Sequence, residues 1–335
     1  MPSAQHVAQS TVIRVINIAK KLRNFGFEYD INFIDVQSLD ANVKAIKKAD
    51  IVFFHKIQAN KYTIIEPTYL PLFMLSKLCN KKIVFDFDDS IFRTFPVLFE
   101  TLVYGSDMVF AGSHFLYDYA SKLNNSTYLI PSAVNTDIFK PINMSTKNDN
   151  VVIGWHGYVH GHKANLKLLM PILRKLGKHY DITFKLLGTK GNKFYQELFK
   201  KQFPNVKIDF GPDKWVPYEE VPSLLKEVDI AVSPLENNIW NKGKCAMKLL
   251  EYMSLGLPVV ASNVGEHRYI IKNSYNGFLA SSTEEWVEFL SMLIDDTSLR
   301  REMGTNARKF IEKYYSLDNI SLKIKNLIEK SLQVD

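Results

Sequence analysis

The sequence predicts an α/β protein made of two doubly wound parallel-sheet domains, and three observations support this. Short apolar runs, typical of strands buried on both faces, alternate with helical stretches along most of the chain. The 335 residues are enough for two domains of ordinary size. A mostly polar segment at 141–150 divides the alternation and indicates a linker. We expect an N-terminal domain over 1–145, a C-terminal domain over 146–318, and a helix over 319–335 that packs back on the N-terminal domain.

The first domain is predicted to open with a helix. Apolar residues that include Val12, Val15 and Leu22 recur on one stripe over 10–23. A doubly wound domain usually opens with a strand, so either the first strand is missing or degenerate, or residues 1–9 supply an irregular substitute. Strands are then expected at 31–36, 51–55, 83–87, 108–111 and 127–130, and helices at 43–48, 70–79, 97–104 and 114–123.

The second domain repeats the same alternation. Ligands of such sheets bind beyond the carboxyl ends of the strands, and two sheets that face each other make a cleft, so we look for functional residues there. Strands are expected at 151–155, 182–187, 206–210, 230–233, 259–261 and 277–280. Helices are expected at 165–176, 193–203, 221–228, 283–294, 299–315 and 320–332, with one more inside the stretch 242–266.

Composition restricts the class of protein. The formal net charge is +7, but both signs are spread along the chain, so nucleic-acid binding is not indicated, whereas anionic small molecules or an anionic membrane surface fit. The two cysteines, each expected inside a helix, argue for a reducing compartment and against a disulfide framework or a zinc site. Residues 1–10 lack the apolar core of a signal peptide, and no apolar run is long enough to span a membrane. We expect a cytoplasmic protein.

The stretch 242–266 is predicted to form a loop, a helix, a turn, a strand and a second loop. The first turn of the predicted helix carries Lys244 and Lys248, with Glu251 one turn further on. Each lysine at a helix N-terminus opposes the macrodipole at a cost of about 0.3–1 kcal/mol. An anion bound there would reverse that cost, because backbone N–H groups and lysines would converge on it. The alternative is a solvated helix start with ordinary surface charge.

The loop after strand 151–155 combines glycine, histidine and lysine. Gly157 allows close backbone approach to a ligand, and Lys163 before a helix suits a phosphate, although the loop is neither a Walker A motif nor a GxGxxG motif. His156, His160 and His162 could suggest a metal. No carboxylate or cysteine lies close in sequence, and imidazoles are frequent neutral donors, so we do not expect a metal site.

Two strand ends of the first domain carry ionisable residues. Asp86, Asp88 and Asp89 accompany the end of strand 83–87, and His55 ends strand 51–55. The carboxylates could act as general bases, metal ligands or acceptors for hydroxyls, or could simply cap the following helix through Ser90. His55 is either structural or functional. No GxSxG, HExxH or paired CxxC motif supports a serine hydrolase or a zinc protease.

Residues 244–260 resemble the nucleotide-sugar signature of retaining GT-B glycosyltransferases of glycosyltransferase family four (glycosyl transferases group 1). The resemblance implies two Rossmann-like domains that face a central cleft. It also implies a metal-independent, hexosyltransferase-type enzyme that moves a sugar from a nucleoside diphosphate sugar to an acceptor hydroxyl with retention, in glycan, polysaccharide or glycolipid synthesis. The similarity covers roughly residues 80–315 and continues at 106–113, 130–141, 153–157, 229–235 and 276–279.

The resemblance assigns roles residue by residue. Glu251 matches a glutamate that holds the ribose hydroxyls, and Lys163, Lys244 and Lys248 would meet the diphosphate. Gly243 stands where the family usually has a glutamate that contacts the donor sugar, so backbone amides of 242–245 or Glu236 are expected to substitute. The expected donor-binding set is Gly157, His162, Lys163, Gly243, Lys244, Lys248 and Glu251, and the expected catalytic set on the acceptor side is His55, Asp88 and Asp89.

The expected partners are a nucleotide-sugar donor and a glycan or lipid-linked acceptor, with no nucleic acid, no metal and no cofactor. Peripheral contact with the inner membrane face would use basic and aromatic residues between Lys20 and Phe27, unless these only end an amphipathic helix. Two alternatives remain at this point. One is a non-catalytic GT-B scaffold or regulatory subunit, motivated by Gly243 and the missing first strand. The other is a nucleotide-sugar epimerase or hydrolase on the same fold.

Overall fold

The computed structural model describes residues 9–32, 34, 38–57, 68–142, 150–203, 205–214 and 216–333. These residues fall into two compact units. The first unit runs to Ser132 and also includes Lys242–Cys245 and the stretch from Leu317 onward, and the second unit consists of Ala133–Asn241 and Ala246–Ser316. The expected boundary at residue 145 and much of the expected linker lie outside the described residues.

Within the described residues, the first unit contains a four-stranded parallel sheet whose strands follow one another in chain order. Its strands are β1 (Ile51–His55), β2 (Lys82–Phe87), β3 (Met108–Ala111) and β4 (Thr127–Leu129). The central strands β2 and β3 are almost entirely buried, as expected for a parallel sheet covered on both faces. Helices of this unit are Gln9–Thr11, Asn17–Arg23, Leu39–Lys48, Tyr69–Leu78, Pro96–Gly105, His114–Ala120 and Leu317–Leu332.

The predicted N-terminal helix is confirmed over 9–23, with one irregularity. The turn Val12–Ile16 is a π-helix between the two α-helical parts. The proposed substitute for a first strand lies outside the described residues, as does half of the predicted strand 31–36, and residues 31, 32 and 34 form no strand. The N-terminal helix packs against the C-terminal helix, where Lys21 pairs with Asp318.

The second unit has, in its described part, a six-stranded parallel sheet of order β10-β9-β8-β5-β6-β7. The strands β5, β6 and β7 are added in one direction across the sheet, and β8 is then placed on the other side of β5. The strand order therefore reverses between β5 and β8. Ligands of doubly wound sheets bind at such a reversal. The strands are β5 (Val151–His156), β6 (Ile182–Leu187), β7 (Lys207–Asp209), β8 (Ile230–Ser233), β9 (Val259–Ser262) and β10 (Phe278–Ala280).

Alternate residues of β8 and β9 face opposite sides of this sheet, which explains their continuous apolar runs. Ile230, Val232 and Val260 belong to one core cluster, whereas Ala231 and Val259 belong to another. The helices that cover the faces are Lys163–Lys167, Leu169–Leu176, Lys193–Gln202, Val221–Leu225, Ile239–Lys242, Met247–Ser254, His267–Ile270, Thr283–Asp295 and Thr297–Tyr314.

The structure differs from the sequence prediction in one helix and in the places of the two cysteines. The helix expected over 165–176 is split into Lys163–Lys167 and Leu169–Leu176. Cys79 and Cys245, expected inside helices, both lie just outside them. None of the helices in the described ranges is long and apolar enough to cross a membrane.

Candidate functional site

Two glycine-containing loops meet at the carboxyl ends of β5 and β6. Gly157 has a φ of 144° and donates its amide hydrogen to the carbonyl of Leu187 at 3.1 Å. Gly188 has a φ of 106°, and a Cβ added there would overlap the carbonyl oxygen of Gly157. A Cβ added at Gly157 would overlap Cε of Lys248. The loops therefore lie backbone against backbone, with Lys248 directly on them.

Lys248 lies in the first turn of the helix Met247–Ser254. Its Nζ is 3.1 Å from Nε2 of His162 and 5.5 Å from the centroid of the Trp155 ring. The helix follows Ala246, which has a φ of 51° and no side-chain group that could cap the first amides. An ammonium and the first amides of a helix thus belong to the same turn, an arrangement suited to an anion.

Glu251 lies one turn further along the same helix and is only 1% exposed. Its Oε2 is 2.8 Å from Nε2 of His156 at the end of β5. Its Oε1 is buried and accepts no hydrogen bond from the described residues. The ring of Tyr252 stands edge-on to His156, and its hydroxyl accepts the His156 amide hydrogen at 2.9 Å. Burial, aided by the charge of Glu251, raises the pKa of Tyr218 well above its ordinary value.

The three histidines of the β5 loop face different partners. His156 faces Glu251, His162 faces Lys248, and Nδ1 of His160 is 2.9 Å from the hydroxyl of Tyr195. In the part of the chain that the structure describes, no group of histidine, cysteine and carboxylate side chains could hold a metal ion.

Lys163 begins the helix after this loop, and its Nζ lies 5.2 Å from the centroid of the Tyr195 ring. The Tyr195 ring also borders a small cavity of about 160 Å³ at the ends of β5 and β6. Lys190 has a φ of 52°, and its Nζ is 4.9 Å from the centroid of the Tyr158 ring at the mouth of this cavity. The cavity walls include Tyr158, His160, Thr189, Lys190, Asn192 and Tyr195.

His267 links the ends of β8 and β9. It is buried, with Nδ1 2.9 Å from the Ser262 carbonyl oxygen and Nε2 3.2 Å from the Ser233 hydroxyl. Burial lowers the pKa of His267 to about 4. The imidazole is therefore neutral at pH 7. It connects the ends of two strands next to the point where the strand order reverses.

In the first unit, His55 and Asp86 occupy paired positions of β1 and β2. Nδ1 of His55 is 2.7 Å from Oδ2 of Asp86. The same carboxylate is held by Arg14, whose Nε donates to Oδ2 at 3.0 Å and whose Nη2 donates to Oδ1. Burial opposes ionisation of Asp86, but the charge of Arg14 and the hydrogen bonds outweigh it and keep the pKa of Asp86 below its usual value.

Asp88 and Asp89 follow β2 and share one cation. Nζ of Lys56 lies 3.2 Å from Oδ1 of Asp88 and 2.7 Å from Oδ2 of Asp89. Burial opposes the charge of Lys56, yet the two aspartates raise its pKa above the ordinary value. The side chain of Ser90 does not cap the turn Ile91–Arg93, so the capping alternative fails for that hydroxyl.

Gly243 and Lys244 group with the first unit, and Lys244 precedes the helix, which corrects its predicted place in the first turn. Nζ of Lys244 is 3.9 Å from Oδ1 of Asp89. The carbonyl of Gly243 accepts a hydrogen bond from the Ser113 hydroxyl at 3.2 Å, and a Cβ added at Gly243 would overlap the Ser90 hydroxyl. A glutamate at 243 would not fit this packing.

The structure therefore brings together Gly157, His162 and Lys248, and it places Glu251 on the same helix. Sequence reasoning did not single out Arg14, Lys56 or His267. The available signals were a charged residue between apolar neighbours in a helix for Arg14 and a position directly after a strand for Lys56. His267 begins the short helix that follows β9, and no comparable local signal marks it.

The comparisons with known proteins agree with this architecture. A galactosyltransferase of Escherichia coli, UDP-Gal:alpha-D-GlcNAc-diphosphoundecaprenol alpha-1,3-galactosyltransferase, is 30% identical over 110 residues, which are 32% of this chain and 27% of that protein. The chain spans less than half the length of the curated relatives that it matches.

Two solved structures show the same GT-B fold. A glycosyltransferase from Rickettsia africae has a TM-score of 0.70 at 18% identity and covers 98% of this chain and 97% of its own. The Anabaena protein Alr3699/HepE, in complex with UDP and glucose, has a TM-score of 0.67 at 16% identity and covers 96% of each chain. The sequence model of the family Glycosyl transferases group 1 matches residues 137–310, more than half of the chain. The chain therefore belongs to the glycosyl transferases group 1.

Proposed function

We propose that the chain is a retaining, hexosyltransferase-type glycosyltransferase, which moves a sugar from a nucleoside diphosphate sugar to an acceptor hydroxyl. The observation that carries this proposal is the helix Met247–Ser254. Its first turn contains Lys248 and is not capped by the side chain of Ala246, and Glu251 has a buried oxygen that accepts no hydrogen bond from the described residues. The first feature fits a diphosphate, and the second fits a hydroxyl donor. Together, the two features match the diphosphate and the ribose hydroxyls of a nucleoside diphosphate.

Lys248 and the helix amides would stabilise the charge that grows on the leaving diphosphate. Lys163, at the start of the helix after the β5 loop, would add positive charge to the same group. Preorganised cations and dipoles aimed at developing charge are usually the largest single contribution to catalysis. Because lysines and amides supply this charge, the proposed reaction uses no metal and no cofactor beyond the donor itself.

Glu251 would accept the ribose hydroxyls through Oε1. A buried carboxylate oxygen without a hydrogen bond is costly, and such oxygens are rare in folded proteins. A ribose hydroxyl would supply the missing donor, while Nε2 of His156 lies 2.8 Å from the other oxygen.

Retention requires no protein nucleophile if the leaving phosphate accepts the acceptor proton on the same face of the sugar. The carboxylates of the first unit suit this view, because Asp86 is held by Arg14 and Asp88 and Asp89 by Lys56. Carboxylates engaged by cations are weak nucleophiles. His55, Asp88 and Asp89 would instead contact hydroxyls of the acceptor.

The relatives suggest where this chemistry serves. The E. coli relative is by name a UDP-galactose enzyme that acts on a diphosphoundecaprenol-linked sugar, and the Anabaena structure holds UDP and glucose. We propose that the present chain works in glycan, polysaccharide or glycolipid synthesis, with UDP as the first nucleotide to test. A lipid-linked acceptor would require peripheral membrane contact, for which the exposed Phe25 and its basic neighbours Lys20 and Arg23 are the proposed residues.

A thermal-shift screen over UDP, GDP, ADP and their sugars tests the proposal. A ligand present at 100 times its Kd should add about 2.7 kcal/mol to the free energy of unfolding. The preferred donor is then incubated with and without acceptor, and NMR of the product gives its anomeric configuration. Stabilisation by no nucleotide would favour a non-catalytic scaffold, and an altered donor sugar formed without acceptor would favour an epimerase. An inverted product would overturn retention alone.

A further inference from the structure

Arg14 is a buried cation in the N-terminal helix of the first unit. Its side chain is 3% exposed, and the Asp86 and His55 side chains beside it are 2% and 7% exposed. The guanidinium donates two hydrogen bonds to Asp86, and Nη1 lies 3.4 Å from the hydroxyl of Ser132. Three ionisable side chains thus form one buried row, Arg14 to Asp86 to His55.

Stability alone is a weak explanation for such a row. Removing charges from water costs several kcal/mol per ion, and replacing a buried ion pair by apolar side chains of similar volume is often neutral or stabilising. The helix is also irregular here, because the π-helical turn Val12–Ile16 contains Arg14 and buries Ile13 and Arg14 in succession. Isolated π-helical turns occur frequently at functional sites.

The far end of the row carries an unpaired atom. Nε2 of His55 is buried and has no hydrogen-bond partner in the described residues. Arg14 keeps Asp86 ionised, so its carboxylate can only accept hydrogen bonds. In the neutral ring, Nδ1 of His55 then carries the proton that it donates to Asp86, and Nε2 presents a lone pair. A lone pair buried in this way suits a hydroxyl donor.

We propose that Arg14 is a positioning residue. By orienting the Asp86 carboxylate, it fixes His55 in the tautomer whose Nε2 accepts a hydrogen bond from a substrate hydroxyl. The hydroxyl part of this inference rests on the proposed function, whereas the tautomer does not.

Nitrogen-15 NMR of the imidazole rings tests the tautomer. The protein has eight histidines, and the variant His55→Gln identifies the His55 signals, because they are absent from its spectrum. In the wild type we expect a protonated Nδ1 and an unprotonated Nε2. In the double variant Arg14→Met, Asp86→Asn, the amide at 86 can donate as well as accept, so the ring nitrogens should show mixed tautomers. A His55 spectrum unchanged in the double variant, or Nε2 protonated in the wild type, would overturn the proposal.

The double variant is preferred because Arg14→Met alone would leave a buried, uncompensated carboxylate. Circular dichroism would confirm that the double variant folds. Kinetics then test the hydroxyl contact. The turnover number kcat should fall by about tenfold or more, while the dissociation constant of UDP, whose proposed site lies in the second unit, should change by less than about twofold. The single variant Arg14→Lys, which keeps the charge and the native Asp86, should retain much of the wild-type kcat and the wild-type tautomer of His55.

Lys44→Met is the matched control, since Lys44 is exposed on another helix of the same unit. An unchanged kcat in a folded double variant, or equal losses in kcat and in UDP affinity, would contradict a positioning role. If the wild type turned over no nucleotide sugar, the proposed function would fail, but the NMR result would still decide whether Arg14 sets the tautomer.

Discussion

Gly157 and Lys248 are in such close contact that any Cβ at position 157 would overlap the lysine side chain. The φ of 144° at Gly157 is also one that other residues rarely adopt. Two residues far apart in sequence, one in the loop after β5 and one in the helix Met247–Ser254, thereby define the wall of the proposed diphosphate site.

The first prediction concerns this contact. Gly157→Ala should lower the free energy of unfolding by about 1–3 kcal/mol through backbone strain, and it should weaken UDP binding because Lys248 is displaced. Calorimetry measures both effects. Gly161→Ala is the matched control in the same loop, because a Cβ there would meet Tyr158 at an ordinary 3.4 Å. Equal effects of the two substitutions would contradict this account.

The second prediction separates phosphate binding from base binding. Lys248→Met keeps the length and packing of the side chain but removes its charge. We expect affinity for UDP to fall by about tenfold to a hundredfold, as for the loss of a charge-assisted contact, while affinity for uridine stays the same. The exposed Lys201→Met serves as control. Equal losses for UDP and uridine would show that the variant perturbs the site as a whole.

The third prediction places the ribose on Glu251. Glu251→Ala removes both carboxylate oxygens, and with them the acceptor of the ribose hydroxyls. The wild type should bind UDP about tenfold more tightly than 2′,3′-dideoxy-UDP, and this ratio should approach one in the variant, since the contact is then already lost. Titration calorimetry with both nucleotides checks it. A ratio that survives in Glu251→Ala would move the ribose contact elsewhere.

Much of this architecture could be predicted from the sequence, for physical reasons. Strands such as Ile230–Ser233 are buried on both faces and so form apolar runs that are visible in the sequence. Lys248 and Glu251 lie three residues apart on one helix, a local relationship that spacing reveals. Their proposed roles came from the family resemblance.

Other features depend on packing between distant segments. Arg14 lies 72 residues from Asp86, and the π-helical turn that buries it breaks the regular helical period on which sequence reasoning relies. The absence of a side chain at Gly243 becomes understandable only when Ser90 and Leu116 are seen around it. Long-range packing of this kind leaves no local pattern in the sequence.

The fourth prediction follows from His267, whose pKa is lowered to about 4 by burial. Between roughly pH 6.5 and pH 4 the unfolded chain binds a proton that the folded protein excludes. The contribution of this group to stability is therefore complete above the unfolded pKa and is lost as the pH falls through this window. The total loss would be roughly 3 kcal/mol.

Urea unfolding of the wild type and of His267→Gln at several pH values tests this. The difference in free energy of unfolding between the two proteins should shrink as the pH falls from 7 to 4, because the variant lacks the titrating group. A difference that is constant with pH would mean that His267 titrates alike in the folded and the unfolded chain.

The last prediction concerns position 243, where the packing leaves no room for the glutamate that the family resemblance leads one to expect. Gly243→Ala should destabilise the protein by about 1–3 kcal/mol, because the new Cβ overlaps the Ser90 hydroxyl and lies 3.2 Å from Cδ2 of Leu116. Ser90→Gly removes the nearer obstacle, so the double variant Ser90→Gly, Gly243→Ala should be more stable than the sum of the two single changes predicts. Thermal unfolding of the four proteins gives this coupling energy. Strict additivity would place the constraint at 243 in the backbone instead of in the Ser90 side chain.

The variant Gly243→Glu introduces a larger side chain, so it should be less stable than Gly243→Ala. It should also gain no affinity for a nucleotide sugar over the nucleotide alone.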